Sequence, residues 1–201
     1  SIAAVGNLPG TACADETTPF KEWKLADPYV LSKVLSEREA LRDTYRETMD
    51  VVAVNPAFPF GARDIGPTPT GKLILSLMRG ELPFVMHGGF NAVDVRDVAE
   101  GHLLAAERGR SGERYIWAGH NLTYRTFASD VAQLCRGRRP LLTLPRRLLL
   151  KLGSLSELAA NVTGTPPLFT HRSIALTAGR YLYFDTTKAR TELGYVPGPL
   201  E

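Results

Sequence analysis

The sequence predicts an α/β fold built around a parallel sheet, and three observations carry that prediction. From Pro28 to about Arg46, apolar residues Leu31, Val34, Leu35, Leu41 and Tyr45 recur at three- and four-residue steps, while Glu37, Arg38, Glu39, Arg42 and Glu47 lie largely on the other faces. Val51-Val-Ala-Val54 then forms a continuous apolar run between Asp50 and Asn55-Pro56, the pattern of a strand buried on both faces. Strand and helix alternate again downstream, at Val93-Asp-Val95 with Val98 to about Glu107, and at Tyr115-Ile-Trp117 before a helix that ends near Cys135.

In chain order, residues 1 to 27 read as a loop, because Asn7-Leu-Pro-Gly10 and Thr17-Thr-Pro19 break any period. Asp27 is placed to cap the first helix, with Pro28 in its first turn. Pro56 to Pro69 holds four prolines and two glycines and reads as one long loop, followed by a short helix from Thr70 to about Arg79. Asp97 is expected to cap the helix that Gly109 ends, and Asp94 to anchor a turn, so both read as structural carboxylates. Thr123 caps the next helix, Leu141 to Leu144 suggests a strand, and Pro145 opens an apolar helix ending near Thr163-Gly164. A helix at His171 to Thr177, a strand at Tyr181 to Phe184 and a helix from Thr186 to Leu193, closed by Gly194, complete the chain.

Composition narrows the function. With 44% hydrophobic and 22% charged residues, the 201-residue chain can bury a sizeable core, which excludes a disordered protein. The net charge of +3 arises from 24 basic and 21 acidic residues scattered along the chain. Its densest basic stretches, Arg136 to Arg139 and Arg146 to Lys151, lack interleaved aromatics, so nucleic acid is not implied. Cys13 and Cys135 stand far apart with no nearby histidine in a ligand pattern, which argues against a disulfide framework or a metal site and suits a cytoplasmic setting. No apolar run reaches the length of a membrane span. The sequence opens on Ser1 and closes on Pro197-Gly-Pro-Leu-Glu201, and both ends read as cut.

The chemistry centres on Tyr29-Val-Leu-Ser-Lys33. Positions i and i+4 share a helix face, so phenol and ammonium project to one side a turn apart. A free tyrosine, with a pKa of about 10, is a poor base at neutral pH and needs a fixed cation nearby to favour its phenolate. The spacing alone is weak, since many helices carry it as an ordinary amphipathic pair.

Its surroundings strengthen it. Pro28-Tyr-Val-Leu-Ser-Lys-Val-Leu-Ser-Glu37 resembles the P-Y-x-x-S-K-x-x-x-E helix of the extended short-chain dehydrogenase/reductases. Ser1-Ile-Ala-Ala-Val-Gly6 is similar to that family's S-x-x-x-x-G segment, and Val54-Asn55-Pro56 with Gly61 to its N-P-x-x-x-G loop. Gly61-Ala-Arg-Asp-Ile-Gly66 through Gly71, and Phe90 through Ala105, look like the branch of hopanoid-associated sugar epimerases and dihydroflavonol-4-reductase-like proteins.

The resemblance implies the C-terminal part of a Rossmann-type doubly wound parallel sheet plus a smaller mixed α/β substrate-binding lobe. Residues 1–60, with about 93–118, would form the partial Rossmann core, and 61–92 with 119–201 the lobe. No strand followed by G-x-G-x-x-G opens a helix here: Gly6 to Gly10 has loop flanks and Gly88-Gly89 precedes strand-like sequence, so the dinucleotide-binding half is not among these residues. By resemblance, the cofactor is NAD or NADP, Tyr29 is the general acid/base, Lys33 assists it and meets the nicotinamide ribose, and Ser1 orients the substrate oxygen. Backbone at Pro56, Ala57 and Phe58 would approach the nicotinamide, and Asn55 would face the substrate. Arg63, Lys72 and His87 fall in segments that flank the family's substrate pocket, where a cation can hold an anionic group. His102, His120 and His171 read as packing residues.

The implied activity is an NAD(P)-dependent oxidoreductase or epimerase acting on a nucleotide-sugar or related hydroxyl/carbonyl substrate, with homodimerisation by analogy. The isolated chain is expected to be inactive for want of a cofactor cradle. A non-enzymatic binding module, or a catalytically inactive fragment, is the alternative reading.

Overall fold

The computed structural model describes residues 1–42, 48–82, 84–135, 137, 140, 142–163 and 171–199. Residues 43–47 of the expected first helix, Leu141, Gly164 and most of the stretch Arg136 to Arg139 lie outside them. The elements are α1 (Pro28–Ala40), β1 (Ala53–Pro56), β2 (Phe58–Phe60), α2 (Pro69–Met78), β3 (Phe84–Met86), β4 (Gly89–Asp94), α3 (Val95–Arg108), β5 (Arg114–Trp117), β6 (His120–Thr123), α4 (Tyr124–Leu134), β7 (Leu142–Leu144), α5 (Arg146–Thr163), α6 (His171–Thr177), β8 (Tyr181–Leu182) and α7 (Thr187–Leu193).

The fold is α/β with parallel pairing dominant. β1 pairs β5 in parallel, from Ala53 opposite Arg114 to Pro56 opposite Trp117. β4 is the hub of a mixed sheet: β2 and β8 pair with it in parallel and β6 antiparallel. β3 and β7 form a third, parallel pair.

Several boundaries depart from expectation for physical reasons. The strand expected at Val51 to Val54 lies two residues further on and is half-buried rather than sandwiched, with only Asn55 fully buried. The loop expected from Pro56 begins as strand β2. Pro59 is tolerated there because β2 ends the β2-β4-β6 run, where a missing N–H costs no ladder bond. β3 and β6 are too short for period-2 alternation to mark them. Asp94, not Asp97, caps α3: its carboxylate accepts from the Arg96 N–H at 2.7 Å, while Asp97 accepts from the Gly198 N–H at 2.8 Å. The caps expected at Asp27 and Thr123 are present, the side chains accepting from Val30 N–H at 2.8 Å and Thr126 N–H at 3.0 Å. Gly194 closes α7 at φ 76°, a left-handed conformation that favours glycine.

The core has two parts that matter for the site. Trp117, Tyr115 and Tyr195 are buried under α3 and α7, with the Trp117 and Tyr195 rings 4.7 Å apart. Phe90 is the centre of an aromatic cluster with Phe58, Phe60, Tyr124 and Phe127, at centroid distances of 5.0 to 5.8 Å. Phe58 and Phe60, two residues apart, project to one face of β2, so this cluster forms a rigid floor beneath it.

Candidate active site

The first turn of α1 sets the geometry. Asp27 fixes where the helix begins, and Tyr29 follows one residue after Pro28, with 61% of its surface exposed at the edge of a cavity of about 1270 Å³. Lys33 stands one turn on, its Nζ 5.3 Å from the centroid of the Tyr29 ring. Ser1 borders the same cavity as Tyr29. Its backbone nitrogen donates to the Val54 carbonyl at 3.0 Å, and its Oγ accepts from the Ala3 N–H at 3.4 Å, capping a single 3-10 turn at Ile2–Ala4.

Ser1, Tyr29, Ala57, Phe58 and Arg63 all line this one cavity. Lys33, Pro56, Lys72 and His87 are not among its lining residues. Lys72 is exposed on α2, and His87 is exposed with its ring edge-on to Tyr181 at 5.9 Å. Asn55, expected to face the substrate, is turned away: it is fully buried, and its Nδ2 donates to the Ser1 carbonyl at 2.8 Å and to the Glu37 carboxylate. The Ala57 N–H, in the segment expected to approach a nicotinamide, is engaged by the Trp117 carbonyl at 2.9 Å, so it is not a free donor.

Two residues that the sequence did not assign to the site support it. Glu37 lies one turn beyond Lys33, and its carboxylate accepts both from Asn55 and from Arg114 Nη1, at 2.8 Å for the latter. Arg114 also donates to the Glu16 carbonyl at 2.8 Å, so a single guanidinium ties α1, β5 and the N-terminal loop together. The closing glutamate of the Pro28-to-Glu37 motif was the available signal for Glu37; Arg114 had none.

The cavity wall is largely apolar, with Phe58 and Phe60 from the aromatic floor, Ile74 and Leu75 from α2, and Leu182 and Phe184 opposite. Its carboxylates are already partnered. Glu22 pairs with Arg180 at 3.2 Å, and Asp64 accepts from the Thr68 hydroxyl at 2.7 Å and N–H at 2.9 Å. The Arg96 guanidinium hydrogen-bonds Asp94 and holds its carboxyl below the usual range. Among the described lining residues Arg63 is the one cation, at a left-handed φ of 69°. Beneath the loop, burial pushes the Glu16 carboxyl up although it accepts from the Ile116 N–H at 2.9 Å.

A phenol with an adjacent ammonium, a hydroxyl on the same cavity and an apolar wall suit the reactive end of a nicotinamide cofactor and a hydroxyl or carbonyl carbon beside it. No glycine-rich turn opening a helix, of the kind that holds a pyrophosphate, is found among the described residues.

A Rossmann-like α/β fold with its site at the strand ends is the class these features define. Residues 1–118 match the NAD dependent epimerase/dehydratase family, and the chain belongs to that family. It is 35% identical over 96% of its length to a putative dihydroflavonol 4-reductase of Synechocystis, covering 57% of that protein. It is 32% identical over 98% of its length to sterol demethylase protein B of Methylococcus capsulatus, covering 60% of that protein. A nucleoside-diphosphate-sugar epimerase from Pseudomonas aeruginosa has a similar structure, with a TM-score of 0.75 and 27% identity over 98% of this chain and 59% of its own. The fold is shared with an NAD-bound dTDP-glucose 4,6-dehydratase of Bacillus anthracis, at a TM-score of 0.69 and 16% identity over 99% of this chain and 55% of its own. The chain thus spans 57% and 60% of the length of the two curated relatives.

Proposed function

We propose that this chain carries the proton-transfer and substrate-binding part of an NAD(P)-dependent oxidoreductase or epimerase acting at a hydroxyl or carbonyl carbon. The observation that carries the reading is that Ser1, Tyr29, Ala57 and Phe58, from three separate segments, border the same cavity. Residues 1–60 with about 93–118 serve as the nucleotide-fold portion, and 61–92 with 119–201 as the substrate lobe. NAD or NADP, when bound, supplies or accepts the hydride.

The chain's own residues handle the proton and the orientation. For reduction, the Tyr29 hydroxyl gives its proton to the carbonyl oxygen as that oxygen gains negative charge; for oxidation, the Tyr29 oxygen removes the proton of the alcohol. Lys33 provides positive charge beside the phenol, which steadies negative charge on it. Ser1 Oγ donates to the same substrate oxygen and fixes its direction. Phe58 and Phe60 exclude water from the reacting carbon.

Of nucleotide-sugars and related hydroxyl or carbonyl compounds, the lining favours the second. A diphosphate calls for convergent Arg and Lys side chains, and among the described lining residues Arg63 is the one cation in a mainly apolar wall. Similarity to proteins named for dihydroflavonol and sterol chemistry supports the same choice. The test is turnover by the protein as its gene encodes it, followed by nicotinamide absorbance, with a dihydroflavonol, a ketosteroid and UDP-glucose as substrates. Turnover of either ring ketone over UDP-glucose is expected. Turnover of UDP-glucose alone would reverse the substrate choice, and cofactor-independent turnover would remove the whole reading.

A further inference from the structure

The helix α5 is amphipathic in an unusual sense: one side is buried and much of the rest is leucine and cation. Inward, Leu149 packs with Ile174 and Ala178, and Gly153 lies so close to α6 that a Cβ there would come within 2.7 Å of Ile174 Cδ1. Outward, Leu148, Leu152 and Leu155, at steps of four and three, are 43%, 42% and 61% exposed, and Leu158 a further step along is 61% exposed. Arg147 and Lys151, both exposed, stand beside this stripe, Lys151 three residues from Leu148 and four from Leu155.

Charge completes the pattern. Glu157 is the one acidic residue in Arg146–Thr163, and its carboxylate faces α6, accepting from the His171 N–H at 2.9 Å. The exposed face therefore presents leucines flanked by positive charge, and the helix itself offers no carboxylate on that face. No helix among the described residues is long and apolar enough to cross a membrane, so α5 has the make-up of a helix that lies in a surface rather than through it.

We infer that α5 seats this protein on an anionic lipid surface, with Leu148, Leu152 and Leu155 entering the acyl boundary and Arg147 and Lys151 meeting lipid phosphates. A second copy is the poorer occupant, because α5 laid on α5 would bring four cations together on faces without an acid. The placement also has a use: α6, packed under α5, contributes Leu176 and Thr177 to the cavity wall, so the docked helix backs directly onto the candidate active site. The inference stands on the surface of α5 and does not depend on the chemistry assigned to the cavity.

The experiment is co-sedimentation of the chain with vesicles of phosphatidylcholine alone and of equimolar phosphatidylcholine and phosphatidylglycerol, at low and high salt. Binding is expected to the phosphatidylglycerol vesicles and to weaken at high salt. Arg147→Gln with Lys151→Gln should weaken it about thirtyfold, and Leu152→Gln with Leu155→Gln should abolish it, both with unchanged circular dichroism. Equal sedimentation with both vesicle types, or binding that survives the double leucine variant, would overturn the inference. So would a dimer in sedimentation velocity that the leucine variant dissociates, since that would give the stripe to a second copy.

Discussion

Glu37 on α1 and Arg114 on β5 are joined by a 2.8 Å ion pair, with side-chain exposures of 10% and 20%. This pair ties α1, the helix that carries Tyr29, to the sheet. Breaking a largely buried pair from one side leaves the other charge uncompensated, so Arg114→Met should cost about 3 kcal/mol in a urea melt. Adding Glu37→Gln to that variant should cost less than the sum of the two single changes, and strict additivity would show that the pair is not coupled.

Gly101 is required by close packing. A Cβ at this position in α3 would lie 2.8 Å from Trp117 Cδ2, and Trp117 is a fully buried ring that cannot swing aside. Gly101→Ala gains about 1 kcal/mol of helix propensity but forces overpacking costing about 1 to 3 kcal/mol, so a net loss is expected. A raised urea midpoint would mean that α3 shifts freely on β5.

Acid stability should respond to Asp94. Its folded-state carboxyl is held below the ordinary value of 3.8, so its contribution is complete above that pH and disappears as pH falls through the folded value. Asp94→Ala should therefore lower stability by about 1 kcal/mol at neutral pH through the lost cap, with the gap from wild type closing in strong acid. Melts across that range check it, and a gap that stays constant with pH would contradict it.

Glu16 behaves in the opposite sense. Burial raises its carboxyl above 4.5, so the penalty is absent below 4.5, grows as pH rises past 4.5 and is complete above the folded value. Glu16→Gln, which still accepts from the Ile116 N–H, should raise the melting temperature at neutral pH and leave it unchanged in acid. A lower melting temperature at neutral pH would mean that the charge itself is needed.

Much of this was readable in advance where local chemistry decides the outcome. Asp27-Pro28, Thr123 and Gly194 mark helix ends through caps and a left-handed turn that depend on neighbouring residues alone. Tyr29, Lys33 and Ser1 became candidates because a motif joined residues whose spacing was weak singly. What escaped was non-local. β3 and β6 exist because β7 and β4 lie beside them, and Asp94 caps α3 because the strand runs straight into the helix with no loop between. Asn55 points to Glu37 rather than the cavity because Ser1 and Glu37, 54 and 18 residues away, together claim its amide.

The central claim is that Tyr29 moves the proton at the reacting oxygen. Its most direct test is turnover by the Tyr29→Phe variant of the gene-encoded protein, with whichever of the three test substrates the unaltered protein turns over and with nicotinamide absorbance as the readout. A fall in kcat of about 10²- to 10⁴-fold with KM changed little is expected, because the phenylalanine keeps the ring and removes only the hydroxyl. Turnover that survives the substitution would contradict the account and move the acid/base role elsewhere in the cavity.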